Sequence, residues 1–275
     1  MNSLPARIVS AIIAAMAMVA IAWFFREDGI KITILLAMVL SSLELLKILF
    51  QSSDSKRKKT LFFFSVMLLN VLSGLYFFYS ALAYVCISIM YFAIGLVLQR
   101  NSTDPATIFQ FFVAGNLGFF YLGLLPAFAA RLLSLSNGLI WFFILLLVAF
   151  AADTFAYAFG RLWGKRRILP NISPKKTVVG ALGGVLGSIL MSLAAHFVLP
   201  HVPILAFLIM GVVVGTISQF GDFFESLLKR VADVKDSGSF MPGHGGILDR
   251  IDGVLFSAPF VYLTASIYEH TVLSQ

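Results

Sequence analysis

The sequence predicts an all-α bundle of about nine transmembrane helices with a cytoplasmic N-terminus. The first observation is composition: 60% of the 275 residues are hydrophobic, 12% are charged, and the mean hydropathy is +0.95. Soluble domains carry about 25% charged residues, so this composition excludes a soluble or a disordered chain. The other two observations are the long apolar runs and the basic clusters between them. The single cysteine excludes an internal disulfide.

Apolar runs as long as a bilayer core supply the predicted helices. One span needs roughly 20 mainly apolar residues, and backbone groups at membrane depth must be bonded within their own segment, which favours helices. The run 61–98 is too long for one span, so we expect two with a break near 73–80. In chain order, the predicted spans are 6–25, 30–50, two within 61–98, 105–133, 138–159, 177–199, 203–221 and 253–270.

Three segments between the runs carry clusters of Lys and Arg and predict the topology. They are residues 51–60, 160–176 and 222–252. Four predicted spans separate the first from the second, and two more separate the second from the third, so all three lie on one side. Because Lys and Arg accumulate on the cytoplasmic side of a membrane, that side is the cytoplasm. The net charge of +7 therefore indicates topology rather than binding to nucleic acid.

Nearly half of the 13 acidic residues cluster around the loop before the last span. Asp222, Glu225 and Lys229 follow one another at helical spacing, so they share one helix face. Asp249 and Asp252 are three residues apart and share a face at the start of the last span. A Gly-, Ser- and Pro-rich stretch between the two groups predicts a loop. The two helices can therefore form a hairpin that brings Asp222 near Asp249 and Asp252.

Three carboxylates that converge at a membrane surface suit a hard cation. Proteins hold Mg²⁺ through one or two carboxylates together with phosphates and water, and a pair of cations can stabilise both oxygens of a phosphoryl displacement. We therefore predict a site for Mg²⁺, alone or with a second cation, on Asp222, Asp249 and Asp252. The alternative is surface charge in which these acids pair with nearby lysines. Cations that can neutralise a phosphate here are Lys175, Lys176, Lys235 and Arg250.

Two further residues are candidates for substrate contact. Asp153 lies inside a predicted span, where a carboxylate is costly. It contacts a substrate or metal, or it pairs with a Lys or Arg of another helix. His244 lies between glycines, which let a backbone approach a ligand and present its amides to phosphate. The alternative for His244 is a solvated loop histidine.

The motifs that carry these residues resemble the signature of phosphatidate cytidylyltransferases, the CDP-diacylglycerol synthases. The resemblance covers about residues 150–255, whereas the N-terminal half is similar only as a hydrophobic bundle. Met241 replaces the usual Leu or Ile, and Val179 replaces a common Glu or Gln, so no polar role is carried over to that position. The motifs are Asp153-Thr-Phe-Ala-Tyr-Ala-Phe-Gly, Ser173-Pro-Lys-Lys-Thr, Ser226-Leu-Leu-Lys-Arg, Lys235-Asp-Ser-Gly and Pro242-Gly-His-Gly-Gly-Ile-Leu-Asp-Arg-Ile-Asp.

The resemblance implies a Mg²⁺-dependent enzyme that joins CTP to phosphatidic acid, giving CDP-diacylglycerol and pyrophosphate. It implies a homodimer among membrane lipids, with its site on the cytoplasmic face of the inner membrane. Residues 1–135 are then N-terminal membrane helices and residues 136–275 the catalytic region. The implied catalytic residues are Asp222, Asp249, Asp252, Lys175, Lys176 and Arg250. The implied substrate-binding residues are Asp153, Ser226, Lys229, Arg230, Lys235, Asp236, His244, Gly245 and Gly246.

Two other functions compete with this interpretation. A CTP-dependent polyprenol kinase shares parts of the motif but transfers the γ-phosphoryl group. A cation-coupled transporter also has intramembrane acids, but such transporters usually show internal repeats and helices broken at the midplane. Here no repeat is evident, and the acids cluster at one face.

Overall fold

The computed structural model describes residues 4–50, 54–99, 104–238 and 245–273. Within these ranges, side chains are described at residue 13 and from 16 to 269. The regular elements of the described residues are helical, which confirms the predicted class. They are α1 (Leu4–Leu49), α2 (Lys56–Leu75), α3 (Ser80–Leu98), α4 (Pro105–Gly118), α5 (Leu125–Leu132), α6 (Gly138–Trp163), α7 (Val178–Ala195), α8 (Ile204–Val231) and α9 (Leu248–Leu273).

Eight segments of the described chain are long and apolar enough to cross a membrane. The predicted break within 61–98 is present, because α2 ends at Leu75 and α3 begins at Ser80. The difference from nine lies in α1, which is 46 residues long and covers both of the first two predicted spans. Arg26 interrupts it with φ 52° and ψ −139°. Each side of this kink is about 33 Å long at 1.5 Å per residue, enough for a bilayer core. The count of nine and the cytoplasmic N-terminus stay predictions.

Polar side chains begin α4 and α7. The carboxylate of Asp104 accepts hydrogen bonds from the backbone N–H groups of Ala106 and Thr107. The Thr107 hydroxyl also donates to it, and these bonds lower the pKa of Asp104. Thr177 caps α7 by accepting from the N–H of Gly180. Both caps satisfy donors that a helix start leaves without a partner.

The chain forms two compact units. Unit 1 comprises Met1–Arg131 and Val234–Leu248. Its core is aromatic, as where the ring of Tyr91 stacks on that of Phe111 with centroids 4.5 Å apart. A π-helical turn at Phe119–Leu124 joins α4 to α5. The buried Asn70 amide donates to the Leu122 carbonyl in that turn at 3.2 Å, which satisfies a polar group in an apolar interior.

Unit 2 comprises Leu132–Asp233 and Asp249–Gln275. Its helices α6 and α7 pack closely because α7 presents glycines to α6. A Cβ at Gly180 would lie 2.7 Å from the carbonyl oxygen of Ala156, and one at Gly184 would lie 2.9 Å from that of Ala152. These glycines hold the loop between α6 and α7, which carries the predicted lysines, close to the end of α6. The predicted functional division at 135/136 stays a prediction.

Candidate active site

The first part of the site is an ion pair between Asp222 on α8 and Lys176. The loop that precedes α7 holds Lys176 in place. The N–H of Ile168 donates to the Lys176 carbonyl at 3.1 Å, and the N–H of Val178 donates to the Arg166 carbonyl at 2.9 Å. The Lys176 ammonium also lies 4.4 Å from the ring centroid of Phe223. The lysine is therefore fixed by its backbone and by two side-chain contacts.

Two more carboxylates crowd Asp222. Asp252 lies in the first turns of α9 and is only 5% exposed. Its carboxyl group makes hydrogen-bond contact with that of Asp222 and interacts electrostatically with Asp153 on α6. The charges of Lys176 and Arg250 act on Asp153. The structure therefore brings three predicted acids and two predicted cations together.

A glycine on α8 makes this convergence possible. A Cβ at Gly221 would lie 2.5 Å from the carbonyl oxygen of Asp252. Any larger residue would push α8 away from α9 and separate Asp222 from Asp252. The backbone N–H of Gly253 in turn donates to the Asp252 carboxylate at 2.8 Å, which orients that carboxylate. Small residues next to each acid thus set the geometry of the cluster.

Lys229 links a second group of acids in unit 2. Its ammonium lies 2.6 Å from the Glu225 carboxylate and 2.5 Å from that of Asp249. The contact with Glu225 follows from their i, i+4 spacing on α8. All three side chains are largely buried. Glu225 was not predicted as a site residue, although its place on the polar face of α8 was the signal for it.

Asp222 and Asp252 fit a hard divalent cation. Their ligand atoms are oxygens, and two carboxylates in contact repel each other unless a positive charge lies close by. One oxygen of Asp249 accepts a hydrogen bond from the Lys229 ammonium at 2.5 Å. No group of three or more His, Cys, Asp or Glu side chains is arranged as a metal site within the described ranges. One or two carboxylates suffice for Mg²⁺ when substrate phosphates complete the coordination, and Asp249 as a ligand stays a prediction.

The remaining predicted residues of unit 2 lie on the same elements. Lys175 is exposed beside Lys176. Arg230 is exposed near the end of α8, and its Nε donates to the carbonyl of Ile172 at 3.2 Å. Ser226 is half-buried on α8. These residues are available at the end of the helices that carries the acids.

The other predicted residues belong to the segment Val234–Leu248 of unit 1. Lys235 and Asp236 are exposed. Gly245 has φ 82°, a conformation that favours glycine, and Gly246 is buried. His244 lies outside the described residues.

Sequence reasoning missed one buried acid that contacts this segment. Glu44 on α1 is 5% exposed and accepts hydrogen bonds from Ser237, Ile247 and Leu248. The signal was a single acid within the second apolar run, because an acid in a span is a functional candidate. Its partners are about 200 residues further along the chain, so spacing could not reveal them.

The sequence is similar to known proteins along most of its length. The model of the cytidylyltransferase family matches residues 5–268. A phosphatidate cytidylyltransferase of Synechocystis sp. is 50% identical over 102 residues, which is 36% of this chain and 34% of the relative. The enzyme of that name from Bacillus subtilis is 44% identical over 107 residues, 38% of this chain and 39% of the relative. An uncharacterised protein of Escherichia coli is 42% identical over 105 residues, 37% of this chain and 35% of the relative. The chain thus spans about a third to two fifths of the length of these relatives.

Proposed function

The chain belongs to the cytidylyltransferase family, and we propose that it transfers the cytidylyl group of CTP to phosphatidic acid. The products are CDP-diacylglycerol and pyrophosphate. The names of the two bacterial relatives support phosphatidic acid as the acceptor. The observation that carries the proposal is the contact of Asp222 with Asp252, next to Asp153 and faced by Lys176 and Arg250.

The chemistry of the substrates matches this charge arrangement. CTP and phosphatidic acid are both polyanions, so a site for them needs cations and preorganised donors. Phosphatidic acid resides in the membrane and CTP in the cytosol. We therefore propose that the site lies at the cytoplasmic face of the inner membrane. The resemblance supports a homodimer as the working form.

The reaction is an in-line displacement at phosphorus. A phosphate oxygen of phosphatidic acid forms a bond to the α-phosphorus of CTP, while the bond from that phosphorus to the bridging oxygen breaks and pyrophosphate leaves. The attacking oxygen of a phosphate monoester is already ionised at neutral pH, so no general base is required. Catalysis then rests on positioning and charge neutralisation.

The described residues divide these tasks. Asp222 and Asp252 would hold Mg²⁺, with Asp249 as a further candidate, and the bound ion would neutralise charge on the phosphoryl oxygens. Lys176 exchanges its contact with Asp222 for a substrate phosphate, and Arg250 binds a second one. Lys175 and Arg230 extend this positive surface. Lys235 is proposed as a further cation for the substrate phosphates.

The second acid group orients the first turn of α9. Lys229 holds Asp249 at 2.5 Å and Glu225 at 2.6 Å, so it ties the polar face of α8 to α9. We assign Lys229 a positioning role as well as a contact with substrate. Ser226 lies on the same face, three residues before it. Four further residues are proposed to shape the nucleotide site: Asp236, His244, Gly245 and Gly246.

Labelled CTP tests the proposal. The purified protein is incubated with phosphatidic acid, Mg²⁺ and CTP that carries label on either the α- or the γ-phosphate. Label on the α-phosphate should enter the lipid, and label on the γ-phosphate should leave as pyrophosphate. A lipid labelled only from the γ-phosphate would identify a kinase instead, and an unlabelled lipid in both reactions would reject cytidylyl transfer.

A further inference from the structure

We propose that Glu44 is a positioning residue that fastens both ends of the segment Val234–Leu248, here called the signature loop. The inference rests on the proposed function, because the signature loop carries Lys235, Asp236 and Gly245, which we assign to the nucleotide site. The loop therefore holds its binding groups in one arrangement only while Glu44 is in place.

The hydrogen bonds of Glu44 span the signature loop. Its Oε1 accepts from the backbone N–H of Ile247 at 3.1 Å. Its Oε2 accepts from the N–H of Leu248 and from the Ser237 hydroxyl, both at 3.0 Å. Ser237 lies near the start of the loop, and the other two residues lie at its end. One carboxylate thus connects two chain segments that are about ten residues apart.

The backbone of the signature loop lies very close to this carboxylate at two glycines. A Cβ at Gly238 would overlap Oε1 of Glu44, and a Cβ at Gly246 would overlap Oε2 of Glu44 and the Ser237 hydroxyl. Only glycine leaves room for the carboxylate at these two positions. The glycines and the acid therefore form one fitted arrangement.

The hydrogen bonds between Glu44 and the loop stabilise both the donors and the buried carboxylate. The N–H of Leu248 opens α9, and N–H groups at a helix start have no acceptor within the helix. An anion at that end also interacts favourably with the helix dipole. A buried carboxylate in turn is costly unless hydrogen bonds replace its water. Removal of the carboxylate takes this acceptor away from the backbone N–H groups of Ile247 and Leu248, and removal of the donors leaves the buried carboxylate with fewer hydrogen bonds.

The test uses the full-length protein and two matched substitutions. Glu44→Gln keeps the shape of the side chain but replaces one acceptor oxygen with a donor. The control is Glu269→Gln in unit 2, because Glu269 is as buried, at 3% exposed, and also accepts two side-chain hydrogen bonds. Backbone hydrogen exchange of residues 234–248 is measured for both variants, together with KM for CTP, kcat and KM for phosphatidic acid.

We expect Glu44→Gln to speed exchange at Ile247 and Leu248 by about tenfold and to raise KM for CTP by a similar factor. A tenfold change corresponds to about 1.4 kcal/mol. KM for phosphatidic acid should stay near its wild-type value, and Glu269→Gln should change neither quantity. Unchanged exchange in Glu44→Gln would overturn the inference. Faster exchange with an unchanged KM for CTP would mean that Glu44 stabilises the loop without positioning the nucleotide site. That result would also overturn the inference.

Two milder variants keep the test decisive if Glu44→Gln does not fold. Ser237→Ala removes one of the three donors, and Gly238→Ala displaces the carboxylate. Both should change exchange and KM in the same direction as Glu44→Gln, by smaller factors, and an unchanged loop in both would overturn the inference. Absence of any cytidylyl transfer by the wild-type chain would reject the proposed function, while the exchange result would still decide whether Glu44 fastens the loop.

Discussion

Buried acids at the two ends of the helices in unit 2 have opposite surroundings. At one end, the carboxyl groups of Asp222 and Asp252 contact each other, and the carboxyl group of Asp153 interacts electrostatically with both. At the other end, Glu269 accepts hydrogen bonds from two neutral donors. The Nδ2 of Asn137 and the Nε1 of Trp141 each lie 3.0 Å from its Oε1. At 1.5 Å per residue, Asp252 and Glu269 are about 25 Å apart along α9.

We interpret Glu269 as a structural acid and Asp222 as a functional one. Glu269 accepts its hydrogen bonds from the uncharged side chains of Asn137 and Trp141, and the Nε2 of His201 lies 3.8 Å from its Oε1. Ionisation of the carboxyl cluster at the other end, formed by Asp222, Asp252 and Asp153, costs free energy in the absence of a ligand. The reason is that neighbouring buried carboxyl groups disfavour one another's charged form. The charged form of the cluster becomes favourable when a cation binds, either alone or together with a polyanionic substrate. Crowding of this kind is typical of a binding site.

The largest effect should come from Asp222→Asn. The change removes one of the two carboxylates in contact and the partner of Lys176, so turnover should fall by about 10²–10³-fold. The melting temperature should stay the same or rise, because repulsion within the cluster is relieved. The radiolabel assay and a thermal melt of the same preparation measure both. A variant that keeps near-wild-type turnover would remove Asp222 from the site.

A smaller effect is expected for Lys176→Gln. Loss of the ammonium should raise KM for CTP and lower kcat, together by about tenfold to 10²-fold in kcat/KM. Lys165→Gln is the matched control, because Lys165 is an exposed cation of the same loop that has no assigned role. Equal losses in both variants would show that the loop contributes only its general positive charge.

At the opposite end, Glu269→Gln should change stability and leave catalysis intact. The amide retains the shape but loses the charge that strengthens two hydrogen bonds, so the free energy of unfolding should fall by about 1–3 kcal/mol. Thermal melting in detergent measures the loss, and kcat should remain within about twofold of wild type. A strong loss of turnover without a loss of stability would contradict the comparison.

The smallest effect should come from Asn137→Ala. It removes one neutral donor from Glu269 and leaves the Trp141 bond in place, so it should cost about 1 kcal/mol of stability. The same melt measures it. Destabilisation greater than that of Glu269→Gln would mean that Asn137 does more than donate to the acid.

Hydropathy predicted the helices well because each span must bond its own backbone. The run 203–221 was placed within α8, and the polar face that continues it was predicted from spacing, as the contact of Lys229 with Glu225 confirms. The helix α1 covers the first two predicted spans, which meet at the kink at Arg26. The predicted spans 6–25 and 30–50 leave a short gap, and one residue in that gap, Arg26 with φ 52°, makes the bend.

The site was predictable where partners are near in sequence and unpredictable where they are distant. The spacing of Asp249 and Asp252 suggested that both would meet Asp222. Asp252 contacts Asp222, and one oxygen of Asp249 accepts from Lys229, so the meeting of Asp249 with Asp222 stays a prediction. The bonds of Glu44 to the signature loop and of Glu269 to Trp141 join residues more than 100 positions apart. Such pairings depend on tertiary packing, which composition and periodicity do not encode.

Binding of Mn²⁺ in the presence of CTP tests the central claim most directly, because it does not depend on turnover. Free Mn²⁺ is measured by its electron paramagnetic resonance signal as wild-type protein, Asp222→Asn and Glu269→Gln are titrated in turn. Wild-type protein and Glu269→Gln should bind Mn²⁺ with equal affinity, and Asp222→Asn should bind at least about tenfold more weakly. Wild-type affinity in Asp222→Asn, or an equal loss in Glu269→Gln, would contradict the assignment of the crowded end as the site.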